Sequence, residues 1–274
     1  FSESDFQLVD SSFQKAPGTY TFKLNEGYKE GVYKIEVGKN INFNIVVSNE
    51  PRIDISTVVF APEDSLKSLF SKENRVFWQY QAKKKQQRQQ AWLLQSLLDY
   101  YTDTLAFHHS LKEELLNLNR TLYNFAKKLA HENPELLASR YIILDQRPVV
   151  PEGMAGEAVT MYMRENWWNL IDLFDMRLLN TPALQSSLWS YIEQFFSDDY
   201  HKEEQDDAFI DGVSKLMCME MNEEIRSFFR KTLIAGFTDS DYYPVVEFLE
   251  TSKFGSLKPI KKSTSPALFN KLKP

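Results

Sequence analysis

Residues 53–65, Ile53-Asp54-Ile55-Ser56-Thr57-Val58-Val59-Phe60-Ala61-Pro62-Glu63-Asp64-Ser65, contain the change of pattern that decides the fold. The first eight positions favour a β-strand, because apolar side chains alternate with polar ones. Pro62 follows, and Asp64 and Ser65 are both residue types that cap helices. The sequence therefore predicts strands before this point and helices after it.

The chain before residue 53 shows the same alternation of apolar and polar positions. Turn-forming residues such as Pro17-Gly18 and Asn49-Glu50-Pro51 separate the alternating segments. Alternation gives a strand one buried and one solvated face, which is typical of antiparallel sheets. We therefore expect a small antiparallel β-sandwich-like domain over residues 1–62. Its strands are expected at residues 19–24, 32–37, 41–47 and 53–60.

Two long helices are predicted after this domain, over residues 73–101 and 104–132. In the second, apolar residues recur at alternating spacings of four and three, which forms a seam for packing against a partner helix. The link between the two helices is short, so we expect an antiparallel hairpin. The seam consists of Leu111, Leu115, Leu118, Leu122, Phe125 and Leu129.

The rest of the chain is also predicted to be mostly helical, so the fold class is α+β. Residues 146–156, QRPVVPEGMAG, hold two Pro and two Gly and mark a point where the helical region 63–253 can subdivide. Residues 254–274 are polar, basic and interrupted by Pro, and we expect them to be a linker. Helices are expected near residues 134–145, 157–171, 181–196, 203–219, 222–236 and 242–252.

The charge of the chain is uneven along its length. The net charge is −6; residues 151–253 hold 8 basic and 20 acidic residues, which is −12, whereas residues 254–274 hold 5 basic residues and no acidic ones. This pattern does not favour nucleic-acid binding as the main role. No apolar run reaches the roughly 20 residues that cross a bilayer, so no transmembrane span is expected.

The sequence carries no recognisable catalytic, cofactor or metal motif. Cys218 is its single cysteine, so an internal disulfide, a CxxC redox pair and a cysteine zinc site are excluded. The apolar run Leu216-Met217-Cys218-Met219 predicts a buried, inert thiol. The acidic residues of segment 198–211 lack the glycine of a calcium-binding EF-hand loop, and we expect a solvated helix start there.

Two stretches are candidates for a contact surface. Trp167 and Trp168 are adjacent, so their side chains face different sides and one of them is free to meet a partner while the other packs in the core. Core packing of both tryptophans is the alternative. A basic helical stretch contributes Lys83, Lys84 and Arg88. Its alternative interpretation is a solvent-exposed helix face.

Three stretches carry a resemblance to a known family. These are Gly31-Val32-Tyr33-Lys34-Ile35 with Asn42-Phe43-Asn44-Ile45, Ser71-Lys72-Glu73-Asn74-Arg75-Val76-Phe77-Trp78-Gln79-Tyr80, and Arg164 to Leu184 with its Asp175-Met176-Arg177-Leu178-Leu179-Asn180-Thr181-Pro182 segment. They resemble, in the same order, the β-domain, helix start and central helical motif of thioredoxin-like envelope proteins of the Bacteroidetes type. The resemblance covers most of residues 18–253.

The resemblance implies a location and an architecture. It implies a periplasmic or outer-membrane-anchored protein of the cell envelope, with a signal or lipoprotein peptide removed before Phe1. It also implies a thioredoxin domain with a W-C-x-x-C motif after the linker 254–274, beyond Pro274, so none of its redox cysteines lies in this chain. The motif residues Asp175, Arg177, Leu178, Leu179, Thr181 and Pro182 are then structural, with Arg177 and Asp175 joining a loop to helices and Pro182 starting a helix.

These observations lead to one expected function and two alternatives. We expect a non-catalytic N-terminal accessory and scaffolding module of a thioredoxin-like thiol–disulfide oxidoreductase, whose partners are the thioredoxin domain and other envelope proteins. The first alternative is a stand-alone periplasmic or surface binding protein for a glycan or peptide; a sugar site predicts exposed Trp or Tyr along a cleft. The second is a hydrolase that uses carboxylates such as Asp172 or Asp175, and it needs two of them facing one cleft.

Overall fold

An antiparallel β-hairpin followed by helices makes up the structure, which confirms the α+β class. The computed structural model describes residues 8–13, 16, 18–24, 26–38, 41–58, 60–102, 105–252 and 254. Strands β1 (Gly31–Val37) and β2 (Ile41–Val47) form the hairpin, with Gly31 opposite Val47 and Val37 opposite Ile41. A second, smaller pair joins β3 (Ile55–Ser56) to β4 (Lys67–Ser68).

The predicted β-sandwich is wrong, because the described residues form only these two small sheets. Residues 20–24 are not a strand. Side chains bind their backbone instead: the N–H of Lys23 donates to the Asp10 carboxylate at 3.0 Å. The predicted strand at 53–60 shrinks to β3 for a related reason, since the N–H of Val58 donates to the Ser65 hydroxyl at 2.8 Å rather than to a neighbouring strand.

The predicted helical hairpin is confirmed. A short helix α1 (Pro62–Ser65) precedes α2 (Lys72–Tyr100) and α3 (Ala106–Glu132), which pack against each other. The amide of Gln87 donates to the side chain of Asn119 at 2.8 Å and marks the antiparallel register of α2 and α3. Helix α4 (Leu137–Leu144) packs against both of them.

The second half of the chain is helical, as predicted. Helix α5 (Glu157–Asn166) ends five residues before the predicted end, and a 3-10 turn at Met176–Asn180 precedes α6 (Pro182–Ile192). Another 3-10 turn, Glu193–Phe195, extends α6. The remaining helices are α7 (Lys202–Met217), α8 (Glu223–Asp239) and α9 (Tyr243–Thr251). Of the predicted linker 254–274, only Phe254 is among the described residues.

One hydrophobic core contains residues from the β-hairpin and from both helical halves. Val46 of β2, Phe77 of α2 and Tyr141 of α4 belong to the same buried cluster as Leu184 of α6 and Phe229 of α8. The helices on the two sides of segment 146–156 therefore share a core. Among the described residues, no helix is both long and apolar enough to span a membrane.

Candidate functional site

The resemblance motif around Asp175 and Arg177 forms a salt-bridged turn. The Asp175 carboxylate accepts hydrogen bonds from the Arg177 guanidinium at 2.9 Å and 2.6 Å, and from the Arg177 backbone N–H at 3.1 Å. Arg140 of α4 lies 3.7 Å from the same carboxylate. Arg177 also lies 3.6 Å from Glu30, directly before β1. The turn is thus joined electrostatically to α4 and to the β-hairpin.

Asp175 and Arg177 in this turn each stabilise the ionised form of the other. Burial raises the pKa of Asp175, but the hydrogen bonds and the charge of Arg177 outweigh burial, so the pKa lies below its ordinary value. The hydrogen bond from Arg177 to Asp175 raises the pKa of that guanidinium. Asp175 is therefore held as an anion in an ion pair, an arrangement unlike that of a catalytic general acid.

The remaining residues of this motif shape the start of α6. Leu178 is buried in the core, and Leu179 is half-buried against it. The Thr181 hydroxyl donates to the carbonyl of Leu178 at 2.8 Å, which closes the 3-10 turn. Pro182 is the first residue of α6, the position where its missing N–H costs nothing.

The turn contacts the β-hairpin through a close backbone approach. The Asn180 amide donates to the carbonyl of Glu30 at 2.9 Å. A Cβ built on Gly31 would lie 2.5 Å from the Cβ of Asn180 and 2.6 Å from its carbonyl oxygen. A glycine at residue 31 therefore allows β1 to pack against the turn.

Three buried polar residues at the start of α2 join the hairpin to the helices, and their contacts with distant segments were not predictable from the sequence. Ser71 caps α2 by accepting from the N–H of Asn74 at 3.0 Å. Asn74 in turn binds the backbone of Val46, and Glu73 accepts from the N–H groups of Leu137 and Ala138 at 2.9 Å and 2.7 Å. Glu73 thereby caps α4 from another element.

The sequence did indicate that one of these three residues, Glu73, is buried. Glu73, Phe77 and Tyr80 follow the i, i+4, i+7 spacing of a single helix face, so a buried Phe77 and Tyr80 imply a buried Glu73. All three are buried in the structure. Burial raises the pKa of Glu73, although the two backbone hydrogen bonds oppose that shift.

The basic helical stretch contains side chains in three different environments. Lys84 pairs with Asp145, and each of the two side chains is only 16% exposed. Tyr80 donates to the same carboxylate, while burial and then the charge of Asp145 raise the pKa of that phenol. Lys83 is half-buried and Arg88 is exposed. Of the predicted contact residues on α2, Arg88 is therefore the most accessible.

Trp167 and Trp168 lie in the core rather than on the surface, so the contact surface expected there is not at these residues. They are 4% and 6% exposed. The indole N–H of Trp167 donates to the Ser187 hydroxyl of α6 at 2.9 Å. Trp168 packs its ring against Tyr191 and Phe229, with ring centroids 5.6 Å and 5.5 Å apart.

Cys218 is exposed, contrary to the prediction of a buried thiol. It is the C-terminal cap of α7, so it follows the buried Leu216 and Met217 onto the other face of the helix. Within the described part of the chain, no group of three or more His, Cys, Asp or Glu side chains is placed to hold a metal ion.

A groove beside the first half of α2 is a candidate binding site. Its volume is about 450 Å³, within the usual range for ligand pockets. The half-buried ring of Trp78 forms part of the wall, and its indole N–H donates to the carbonyl of Asn44 at 3.1 Å. Charged side chains of both signs complete the lining, including Glu63, Asp64, Lys67 and Arg75.

Comparison of the chain with models of known protein families, with curated proteins and with solved structures finds no match.

Proposed function

We propose that the chain is a non-catalytic accessory and scaffolding module of a thioredoxin-like thiol–disulfide oxidoreductase in the cell envelope. The observation that supports this proposal is the meeting of the three resemblance stretches in one place. The residue types of a structural motif are restricted by contacts with distant segments, and contacts of this kind are present where the three stretches meet.

The contacts at this junction involve each of the three stretches. Gly31 lies against Asn180 of the third stretch, and Asn74 of the second binds the backbone of Val46 next to the first. Arg177 and Asp175 connect Glu30 to α4. The polar motif residues at this junction hold the β-hairpin at a fixed position on the helices.

A body built around one shared core is suited to positioning a neighbouring domain. The shared core spans elements from β2 to α9. The basic segment 254–274 leads from this body to the proposed thioredoxin domain and is opposite in sign to residues 151–253. The module is thus proposed to position the redox domain, shield it or present partners to it.

The coding sequence downstream of Pro274 tests this proposal. We expect it to encode a thioredoxin domain with a W-C-x-x-C motif. A second measurement uses the protein encoded by the whole gene: hydrogen exchange of residues 8–254 is compared in that protein and in the chain alone. Added protection at exposed positions supports scaffolding. A stop codon directly after Pro274, or an unrelated domain, would overturn the proposal.

The groove supports a second candidate function, a stand-alone binding protein for a glycan or peptide. An aromatic ring beside charged side chains is suited to stacking on a sugar and to hydrogen bonding with its hydroxyl groups. Trp78 supplies that ring. If no redox domain is encoded after Pro274, this second function becomes the favoured proposal.

A tryptophan replacement tests the groove. Intrinsic fluorescence and calorimetry with a panel of oligosaccharides and short peptides measure binding to the native chain and to Trp78→Phe. Trp92→Phe is the matched control, because Trp92 is exposed elsewhere on α2. Binding that is lost in the first variant and kept in the second supports the candidate, whereas equal binding by both variants excludes the groove as the site.

A further inference from the structure

The distal part of the α2–α3 hairpin extends past the shared core. The core residues of α2 are Val76, Phe77 and Tyr80, all in its first turns. Beyond Arg88, helix α2 continues to Tyr100, a length of about 20 Å. Leu98 of α2 and Leu111 of α3 are buried in this part of the hairpin. We call residues 92–102 and 105–107 the hairpin tip.

The hairpin tip exposes large aromatic side chains. Tyr100 is 80% exposed, Trp92 69%, Phe107 48% and Tyr101 37%. Three of these rings form a continuous group, since the centroids of Tyr100 and Tyr101 are 5.3 Å apart and those of Tyr101 and Phe107 are 5.1 Å apart. Leu93, Leu97 and Leu105 are also exposed. This surface is far more apolar than a solvated helix face.

The exposed residues of α2 form a second apolar face on one helix. At 100° per residue, Trp92, Tyr100, Leu93 and Leu97 fall within about 140°, and the buried Leu98 lies on the opposite side. A helix that is apolar on two opposite sides is ordinarily covered on both. Helix α3 packs against α2, whereas within the described part of the chain the face with Trp92 and Tyr100 stays exposed and can take another occupant.

We propose that this occupant is a second copy of the chain. Two helical hairpins that pack across a two-fold axis complete a four-helix bundle, in which each copy covers the apolar face of the other. In an antiparallel arrangement, α2 of one copy lies along α2 of its partner, with Trp92 of each near Tyr100 of the other.

The exposed area is sufficient for such a dimer. The four aromatic side chains expose on the order of 500 Å² together, given the areas typical of aromatic residues. The three leucines bring the exposed apolar area of the whole tip close to the roughly 800 Å² that each partner buries in an interface of standard size, so the dimer has to cover Tyr101, Leu105 and Phe107 as well as the face of α2. Aromatic anchors of this kind carry most of the binding energy in protein interfaces.

The charge pattern favours an antiparallel pair of copies over a membrane surface. Residues 89–111 contain two charged side chains, Asp99 and Asp103, and no Lys or Arg. An acidic tip is repelled by anionic lipid headgroups. The exposed Arg88 lies towards the base of the hairpin, so antiparallel packing places it near the acidic tip of the partner.

Sedimentation velocity of the whole chain over a range of concentrations tests the dimer. We expect a monomer–dimer equilibrium. The double variant Trp92→Glu with Tyr100→Glu is expected to raise the dissociation constant by about 100-fold or more. Phe60→Glu is the matched control, since Phe60 is 95% exposed outside the tip. Circular dichroism and urea unfolding show whether each variant keeps its fold.

Exchanging the charges at residues 88 and 99 tests whether the two copies pack antiparallel. In this register Arg88 lies about 7.5 Å along the helix axis from Asp99 of the other copy. Arg88→Glu and Asp99→Lys are therefore each expected to weaken the dimer by about two- to threefold, and their combination is expected to restore it, because charges of opposite sign face each other again. A native chain that stays monomeric, or a dimer unaffected by the tip variants, would overturn the proposal. Binding of the monomer to phosphatidylcholine vesicles through the tip would replace it with a lipid-facing role.

Discussion

Asn74 of α2 pairs with the backbone of Val46 of β2 as a neighbouring strand would. Its side-chain oxygen accepts from the N–H of Val46 at 2.8 Å, and its side-chain nitrogen donates to the carbonyl of Val46 at 2.7 Å. Both residues are fully buried. One amide side chain thus satisfies both polar groups of a strand residue at the edge of a two-stranded sheet, where no third strand is present among the described residues.

The first prediction concerns this amide. Asn74→Ala leaves the buried N–H and carbonyl of Val46 without their partner, so we expect a loss of about 2–4 kcal/mol in the free energy of unfolding. Urea denaturation measures the loss. Asn124→Ala is the control, because Asn124 is exposed on α3, and we expect a change within about 0.5 kcal/mol. Equal stability of the two variants would show that the pairing contributes nothing.

The second prediction concerns the carboxylate that caps α4. Glu73→Ala leaves the N–H groups of Leu137 and Ala138 buried and without an acceptor, so we expect a loss of about 2–5 kcal/mol. Glu73→Gln retains one acceptor oxygen and is expected to fall between the native chain and Glu73→Ala. Thermal and urea unfolding measure these differences.

Glu135 supplies the control for this prediction. It pairs with Lys72 on the surface, with both side chains more than half exposed. Glu135→Ala is therefore expected to change the free energy of unfolding by less than about 1 kcal/mol. A Glu73→Ala variant as stable as Glu135→Ala would contradict the capping role.

Helix positions followed from the sequence, whereas most of the polar junction did not. The 3.6-residue period of the seam from Leu111 to Leu129 is local, and so the hairpin of α2 and α3 was predictable. The partners of Asn74 and Glu73 lie 28 and 64 residues away in the chain. Local periodicity contains no information about such pairs.

The wrong strand at 19–24 and the open choice between surface and core for the two tryptophans have the same physical origin. Alternation at 19–24 was compatible with a strand, but the hydrogen bond from Lys23 to Asp10 uses a backbone N–H that a strand would need. Trp167 and Trp168 were equally suited to a surface or a core by residue type. Contacts with Ser187 and Tyr191, about 20 residues further along the chain, place both in the core.

The third prediction separates two neighbouring lysines that the sequence could not distinguish. Lys84→Met removes the cation paired with Asp145 in a site where both side chains are 16% exposed, so we expect a loss of about 2–4 kcal/mol. Lys83→Met, one residue away, is the matched control and is expected to lie within about 0.5 kcal/mol of the native chain. Urea denaturation of both variants measures the two losses of stability. A Lys83→Met variant that is less stable than Lys84→Met would contradict the assignment.

The fourth prediction is a pH dependence that originates at Asp175. The pKa of Asp175 lies below its ordinary value in the folded chain, so the unfolded chain binds the proton more readily. The stabilisation from Asp175 is therefore complete above the ordinary carboxyl pKa of about 4 and is lost as the pH falls through the lower folded value. Asp175→Asn removes this dependence.

Unfolding curves of the native chain and of Asp175→Asn between pH 7 and pH 2 measure the effect. At pH 7 we expect the variant to be about 2–4 kcal/mol less stable, because Arg177 loses its paired carboxylate. The gap is expected to narrow below about pH 4, where the native chain loses the same interaction. Asp211→Asn is the control, since its pair with Lys215 is about half exposed, and it is expected to stay within about 1 kcal/mol of the native chain throughout. A gap that does not change with pH would show that the ion pair at Asp175 is not the source of its stabilisation.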